Sequence, residues 1–474
     1  FMKALRLAAC ALCLLALASS ELQAQPPAEQ GQVAFPETAA GREASAYFEA
    51  FNSQDENVMR LFLERHISRA SLDARSIDER MTIYRRLTTD LATLTPVRIV
   101  KAVEHSLTVI AHSSTDKWVQ MLFDVDEEPP HGIAGMGIRL LPEAPDLDEP
   151  TTPLTEAAMQ DELRTYMAGL VEKDEFSGVV LVAEGEKPLF HEAYGMASRE
   201  YNVPNLKTTR FNLGSINKFI TEIAIEQLAA RGMLSLDDKI GKYLPDYPNP
   251  DAAAKVTVRQ LVEMTSGIGD FFGDKFDATP KGRIRDLEDY LQFFAEDSLL
   301  FEPGTDSQYS NGGYVVLGLI IEKASGNTYF DYVRDNICAV AGMNDTEHLE
   351  ADVPVANVAS GYTRKWGGGG EDGAYWRNNI YHRPARGSSA GGGYSTAEDL
   401  VRLVGAVRSG KIPAPERWRL AAAQGGALAG GAPGMNAFLG TVGDDYVIVV
   451  LSNYDPPAAV RVGQRIKNMV DRLK

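Results

Sequence analysis

The sequence predicts a two-domain α+β protein. Three observations carry this expectation. Residues 38–141 show helix-period apolar spacing followed by four strand-like runs. Residues 142–153 are rich in proline and acidic side chains. Residues 154–474 open and close with strand pairs around a helical middle. At 474 residues the chain exceeds one ordinary domain and has room for a large core beside a smaller one.

In the first segment, apolar residues recur one helical turn apart: Tyr47, Phe48 and Phe51, then Met59 and Phe62, then Met81, Tyr84, Leu87 and Leu91. Three helices are expected. Runs at 97–103, 107–112, 118–125 and 133–141 alternate with polar turns and predict an antiparallel meander. Residues 142–153 read as a linker. The second segment begins with a predicted helix, 156–172, and strands 178–183 and 188–194 around a turn at 184–187. It ends with strands 435–441 and 446–451, turned through Gly443-Asp444-Asp445, and a helix at 458–472. The chain is thus expected to leave one antiparallel sheet, build a helical lobe and return, with a site between sheet and lobe.

Composition narrows the function. With 65 acidic against 47 basic residues the formal charge is −18, which disfavours phosphate backbones and excludes nucleic acid as an expected partner. Residues 1–24 have a charged start, Met2 to Arg6, and a short apolar run to Ala18, the pattern of a secretory signal, and 25–37 read as a flexible leader. A periplasmic or secreted location follows as the expectation, without an integral membrane span in the mature chain. Leu7-Ala8-Ala9-Cys10 makes lipoprotein anchoring a minor alternative. Of three cysteines, Cys10 and Cys13 fall in the signal, so Cys338 has no intrachain partner and is expected to be a buried thiol.

Ser215-Ile216-Asn217-Lys218 precedes an amphipathic run through Ile220, Ile223, Ile225 and Leu228, so the serine is expected at a helix start. Residues three apart share a helix face, which brings the Lys218 amine beside the Ser215 hydroxyl. A serine needs a base to take its proton, and a buried amine serves. Ser114-Thr115-Asp116-Lys117 has the same spacing but lies in a polar turn between strands. Tyr309-Ser310-Asn311 sits in a loop entering another helix, offering a phenol for proton transfer and an amide for a carbonyl. Tyr247-Pro248-Asn249 repeats that pattern in a proline-rich stretch expected to be a solvent-exposed turn. Gly387-Ser388-Ser389-Ala390-Gly391 fits a nucleophile elbow but lacks the hydrophobic strand it needs, and reads as a glycine-rich loop beside the cleft. His191, His348 and His382 have no sequence partners that make a triad, and His105, His112 and His131 lack metal-ligand spacing. Neither metal nor cofactor is expected.

Taken together, 211–218, Val258-Arg259-Gln260-Leu261 with Thr265-Ser266-Gly267, 302–318, 390–399 and 430–436 resemble, in order and spacing, the serine β-lactamase-related family. That family spans class C β-lactamases, penicillin-binding proteins, D-amino-acid hydrolases and carboxylesterases. The resemblance covers about residues 155–455. It implies that Ser215 is the acylated nucleophile, Lys218 its base, Tyr309 a proton shuttle and Asn311 a substrate-positioning amide. Leu428-Ala429-Gly430 stands where the family carries Lys or His, any residue, Gly, while Gly430 and Gly431 can still offer a backbone N–H to an oxyanion. Met264 stands where a histidine is frequent. The first segment resembles, in topology alone, the cone of nuclear-transport-factor-like proteins, with a filled core or a dimerisation surface as its expected role and a small-ligand site as the alternative. An exported serine hydrolase acting on a small acyl or peptide substrate, esterase-like rather than lactamase-like, is therefore expected. The alternative is an impaired relative that binds a peptidoglycan fragment or peptide.

Overall fold

The computed structural model describes residues 33–141, 152–365, 372–415, 418–419 and 426–473. The expected signal and most of the leader and linker lie outside them. The chain divides into two compact units, 1–150 and 151–474.

In the first unit, four helices rather than three precede the sheet: α1 (Ala39–Asn52), α2 (Glu56–His66), α3 (Arg69–Ala74) and α4 (Ile77–Leu91). The additional one, α3, is six residues long, too short to display a helical period. Each start carries an oxygen that accepts from an orphan backbone N–H: Thr38, Asp55, Ser68 and Ser76, the last closing a capping box with Glu79. Strands β1 (Leu94–Val103), β2 (Ser106–Ser113), β3 (Trp118–Val125) and β4 (Ile133–Leu141) form the expected antiparallel meander in sequential order. Alternation sends Val119, Met121, Phe123 and Val125 to the helices. There Tyr47 meets Phe123 edge-on at 5.5 Å and Phe62 at 5.7 Å. Aromatic rings fill this interior. Ser114 and Lys117 lie in the β2–β3 turn, as expected of a non-catalytic pair.

In the second unit, α5 (Glu156–Glu172) is followed by β5 (Gly178–Glu184) and β6 (Lys187–Tyr194). Far along the chain come β7 (Ala427–Ala432), β8 (Met435–Val442), β9 (Tyr446–Ser452) and a C-terminal helix. The sheet order is β7-β8-β9-β5-β6, all antiparallel, so the last strands close against the first through β9 and β5. Both faces are covered. Val180, Val182, Ile448 and Val450 pack under α5 and the C-terminal helix, Ala458–Val470, whereas Val179, Leu181, Val447 and Val449 face the helical lobe. Each such side chain contributes about 1.5–3 kcal/mol by leaving water. The lobe is built on α6 (Asn217–Ala230) and α7 (Asn311–Ser325), both nearly fully buried. A two-residue ladder, Phe211–Asn212 with Tyr394–Ser395, ties the approach to α6 to the loop that ends at Ser395.

Tyr247 departs from expectation. It is buried in the lobe core rather than exposed, and Asn249 caps a short helix, Pro250–Lys255. Pro248 stays exposed in the turn, and the next proline, Pro250, opens the helix. Among the described residues no helix is long and apolar enough to cross a membrane.

Candidate functional site

Ser215 sits in a single 3-10 turn, Gly214–Ile216, that runs directly into α6. Gly214 has a φ of +50°, and a Cβ there would lie 2.8 Å from the Gly431 nitrogen. A residue without a side chain is required. Strand β7 is fitted equally closely: a Cβ on Gly430 would fall 2.0 Å from the Leu213 carbonyl oxygen and 2.9 Å from the Ser215 nitrogen. The edge strand of the sheet and the serine turn are therefore in backbone contact, which places the Gly430–Gly431 amides beside the Ser215 amide.

Lys218, one turn along the helix, has its Nζ 3.3 Å from Ser215 Oγ, as the spacing predicted. Two shorter bonds hold it: Nζ donates to Asn311 Oδ1 at 2.6 Å and to the Ala390 carbonyl at 2.6 Å. It also lies 4.8 Å from the centre of the Tyr309 ring. Held in this way beside Ser215 Oγ, the amine is placed to take the serine proton. Tyr309 donates its hydroxyl to Ser215 Oγ at 2.7 Å and remains half exposed at the mouth of the site.

Asn311, at the first turn of α7, is engaged at both ends of its amide. Its Oδ1 accepts from Lys218, while its Nδ2 donates to Asp270 Oδ2 at 2.7 Å. A carboxylate only accepts, so Asp270 fixes which end of the amide faces the lysine. Asp270 was missed from the sequence, although it follows Thr265-Ser266-Gly267 by three residues. Ala390 was missed too, because a carbonyl ligand leaves no residue-type signal. Its place in 387–391 supports the reading of that segment as a loop beside the cleft. Met264 has a φ of +61°, and its sulfur accepts the Ser310 N–H at 3.4 Å, fastening the loop that carries Tyr309. Leu428 lies on β7 two residues before Gly430, hence on the same face, and packs against the core that includes Leu213 and Ile216.

The remaining candidates fall elsewhere or are inert. Burial pushes the Cys338 thiol up to about 12, which makes it a poor nucleophile. His348 is enclosed beside Tyr329, Phe330 and Gly393, and burial drives it down to about 3, so it stays neutral. His191 is also lowered, by burial, and pairs with Glu398 at 3.6 Å. Among the described residues no three His, Cys, Asp or Glu side chains are grouped to hold a metal ion.

Residues 163–453 match the model of the Beta-lactamase family. Penicillin-binding protein 4* of Bacillus subtilis (strain 168) is 37% identical over 186 residues, 39% of this chain and 40% of that protein. The aligned part thus spans well under half of that relative. Among solved structures, a penicillin binding protein from Bacillus halodurans superposes with a TM-score of 0.56 at 29% identity, covering 65% of this chain and 99% of the other. The hydrolase EstCE1, described as having promiscuous acyltransferase activity, shares the fold at a TM-score of 0.54 and 19% identity, covering 66% of this chain and 99% of the other.

Proposed function

Because the chain belongs to the Beta-lactamase family, with the match covering residues 163–453, we propose that it is a serine hydrolase acting through an acyl-enzyme on Ser215. An ester is the preferred substrate. The observation that carries this reading is the arrangement of Lys218 and Tyr309 on one serine oxygen, at 3.3 Å and 2.7 Å.

Lys218, as the free amine, takes the Ser215 proton while Oγ attacks the substrate carbonyl carbon. Negative charge on the carbonyl oxygen is met by backbone N–H groups of Ser215 and of Gly430 or Gly431 on β7. Collapse breaks the bond to the leaving group, which receives its proton through Tyr309. Water then attacks the acyl-enzyme, with its proton passing back through Tyr309 and Lys218 to Ser215 Oγ. Asp270 keeps the Asn311 amide turned toward Lys218, and the Ala390 carbonyl holds the second N–H. The first domain, with its filled core, is proposed to pair chains rather than to bind a ligand, and export remains the proposal for its location.

The test is hydrolysis of p-nitrophenyl butyrate by the full chain and by Ser215→Ala. Loss of about a thousandfold or more in the variant supports the reading. Equal rates, or no hydrolysis by either protein, would remove it.

A further inference from the structure

Strand β7, in backbone contact with the nucleophile turn, carries an aliphatic side chain two residues before Gly430. Leu428 shares its strand face with Gly430, whose Cα is pressed against Leu213 and Ser215. A substrate group reaching that face meets a hydrocarbon. Lys218, on the nucleophile helix, is 4% exposed, and its amine is held among Ser215, Asn311 and Ala390. Asp270 is linked to this lysine through the Asn311 amide. An anionic acyl group meets Leu428 on this strand, where the family carries Lys or His.

The loops that pack beside Tyr309 carry exposed apolar side chains. Tyr309 is 51% exposed, Phe272 55% and Leu300 55%. They are tied into one surface. Ser310 Oγ donates to the Gly269 carbonyl at 2.9 Å, Leu300 N donates to the Gly267 carbonyl at 2.8 Å, and Phe272 N donates to Asp270 Oδ1 at 3.0 Å. A Cβ built on Gly269 would lie 4.0 Å from Leu300 Cδ1. Because the Tyr309 hydroxyl bonds Ser215 Oγ, whatever acylates that oxygen lies against Tyr309 and the residues continuing from it.

We infer that the acyl half of the substrate is an uncharged hydrocarbon chain that lies along Tyr309, Leu300 and Phe272, with Leu428 on the strand beside the nucleophile. The inference rests on the serine-hydrolase reading and names its substrate class. The reaction forms the Ser215 Oγ–acyl bond and breaks the acyl–alkoxy bond. The alcohol leaves with one proton, and water then releases the carboxylic acid.

The experiment compares p-nitrophenyl acetate, butyrate, hexanoate and octanoate, and sets the pentanoate ester against the p-nitrophenyl monoester of glutaric acid, whose chain of similar length ends in a carboxylate. The expected result is a rise in kcat/KM of about two- to fourfold per methylene up to the hexanoate, the fourfold limit corresponding to full burial. The glutarate monoester is expected at least about tenfold below the pentanoate. Phe272→Ser and Leu300→Ser, both surface changes, should flatten the chain-length profile, and Leu428→Lys should narrow the gap between glutarate and pentanoate. A flat or falling profile in an enzyme whose turnover depends on Ser215 would overturn the inference alone, as would equal rates on glutarate and pentanoate. No turnover of any ester would overturn the hydrolase reading and this inference with it.

Discussion

Replacing Gly430 with alanine tests how tightly the edge strand is fitted to the nucleophile turn. The added methyl would start 2.0 Å from the Leu213 oxygen and 2.9 Å from the Ser215 nitrogen, and such atoms do not approach closer than about 3 Å. Strand and turn must therefore separate by about 1 Å, and the atoms that move carry Ser215 itself. A misplacement of that size at a reacting group costs on the order of a hundredfold in rate. Overpacking costs about 1–3 kcal/mol in stability, which a domain of this size tolerates. The assay pairs Ser215-dependent ester hydrolysis with thermal unfolding. Gly430→Ala should fold, melt a few degrees lower and lose about two orders of magnitude in kcat/KM. Gly169→Ala, in α5 with no atom within 4 Å of the new Cβ, serves as control and should gain about 0.5–1 kcal/mol with unchanged turnover. A Gly430→Ala protein with wild-type kcat/KM would refute the claim that β7 and the serine turn form one rigid site.

Two further outcomes are expected. Asp270→Ala frees the Asn311 amide to turn its other end to Lys218, and a lost hydrogen bond to a charged group is worth about 1.5–3 kcal/mol. A fall of tenfold or more in kcat with little change in KM should result, and a change confined to KM would contradict the positioning role. His348 is neutral when folded and does not accept a proton until about pH 3, whereas in the unfolded chain it does so near 6.5. Its contribution to stability is thus complete above pH 6.5 and declines as pH falls toward 3, by about 1.4 kcal/mol per pH unit. Urea unfolding at pH 7.5, 6.0 and 5.0 should show a shallower loss for His348→Gln than for the wild type. Parallel losses would show that His348 is not the cause.

How much of this was legible in the sequence depended on how local each signal is. Ser215 and Lys218 were readable because a helix start and a three-residue spacing are properties of one segment, and the decoy at Ser114 failed on the same local ground. Tyr309 and Asn311 were readable for the same reason. Asp270 and the Ala390 carbonyl reach Lys218 only through tertiary approach, and neither spacing nor residue type announces that. Strand β7, Ala-Leu-Ala-Gly-Gly-Ala-like in composition, lacks the β-branched residues that mark a strand, and only resemblance placed it on the cleft. Tyr247 was misread because an exposed turn can still send one aromatic side chain into the core, and that is a tertiary fact.

The most direct measurement is the position of the covalent bond. The full chain is treated with a fluorophosphonate, digested, and mapped by mass spectrometry across residues 211–218. The added mass is expected on Ser215, with ester hydrolysis lost in proportion to labelling. Label on Ser388 or Ser389 instead, or an unlabelled Ser215 in protein that still hydrolyses esters, would contradict Ser215 as the nucleophile.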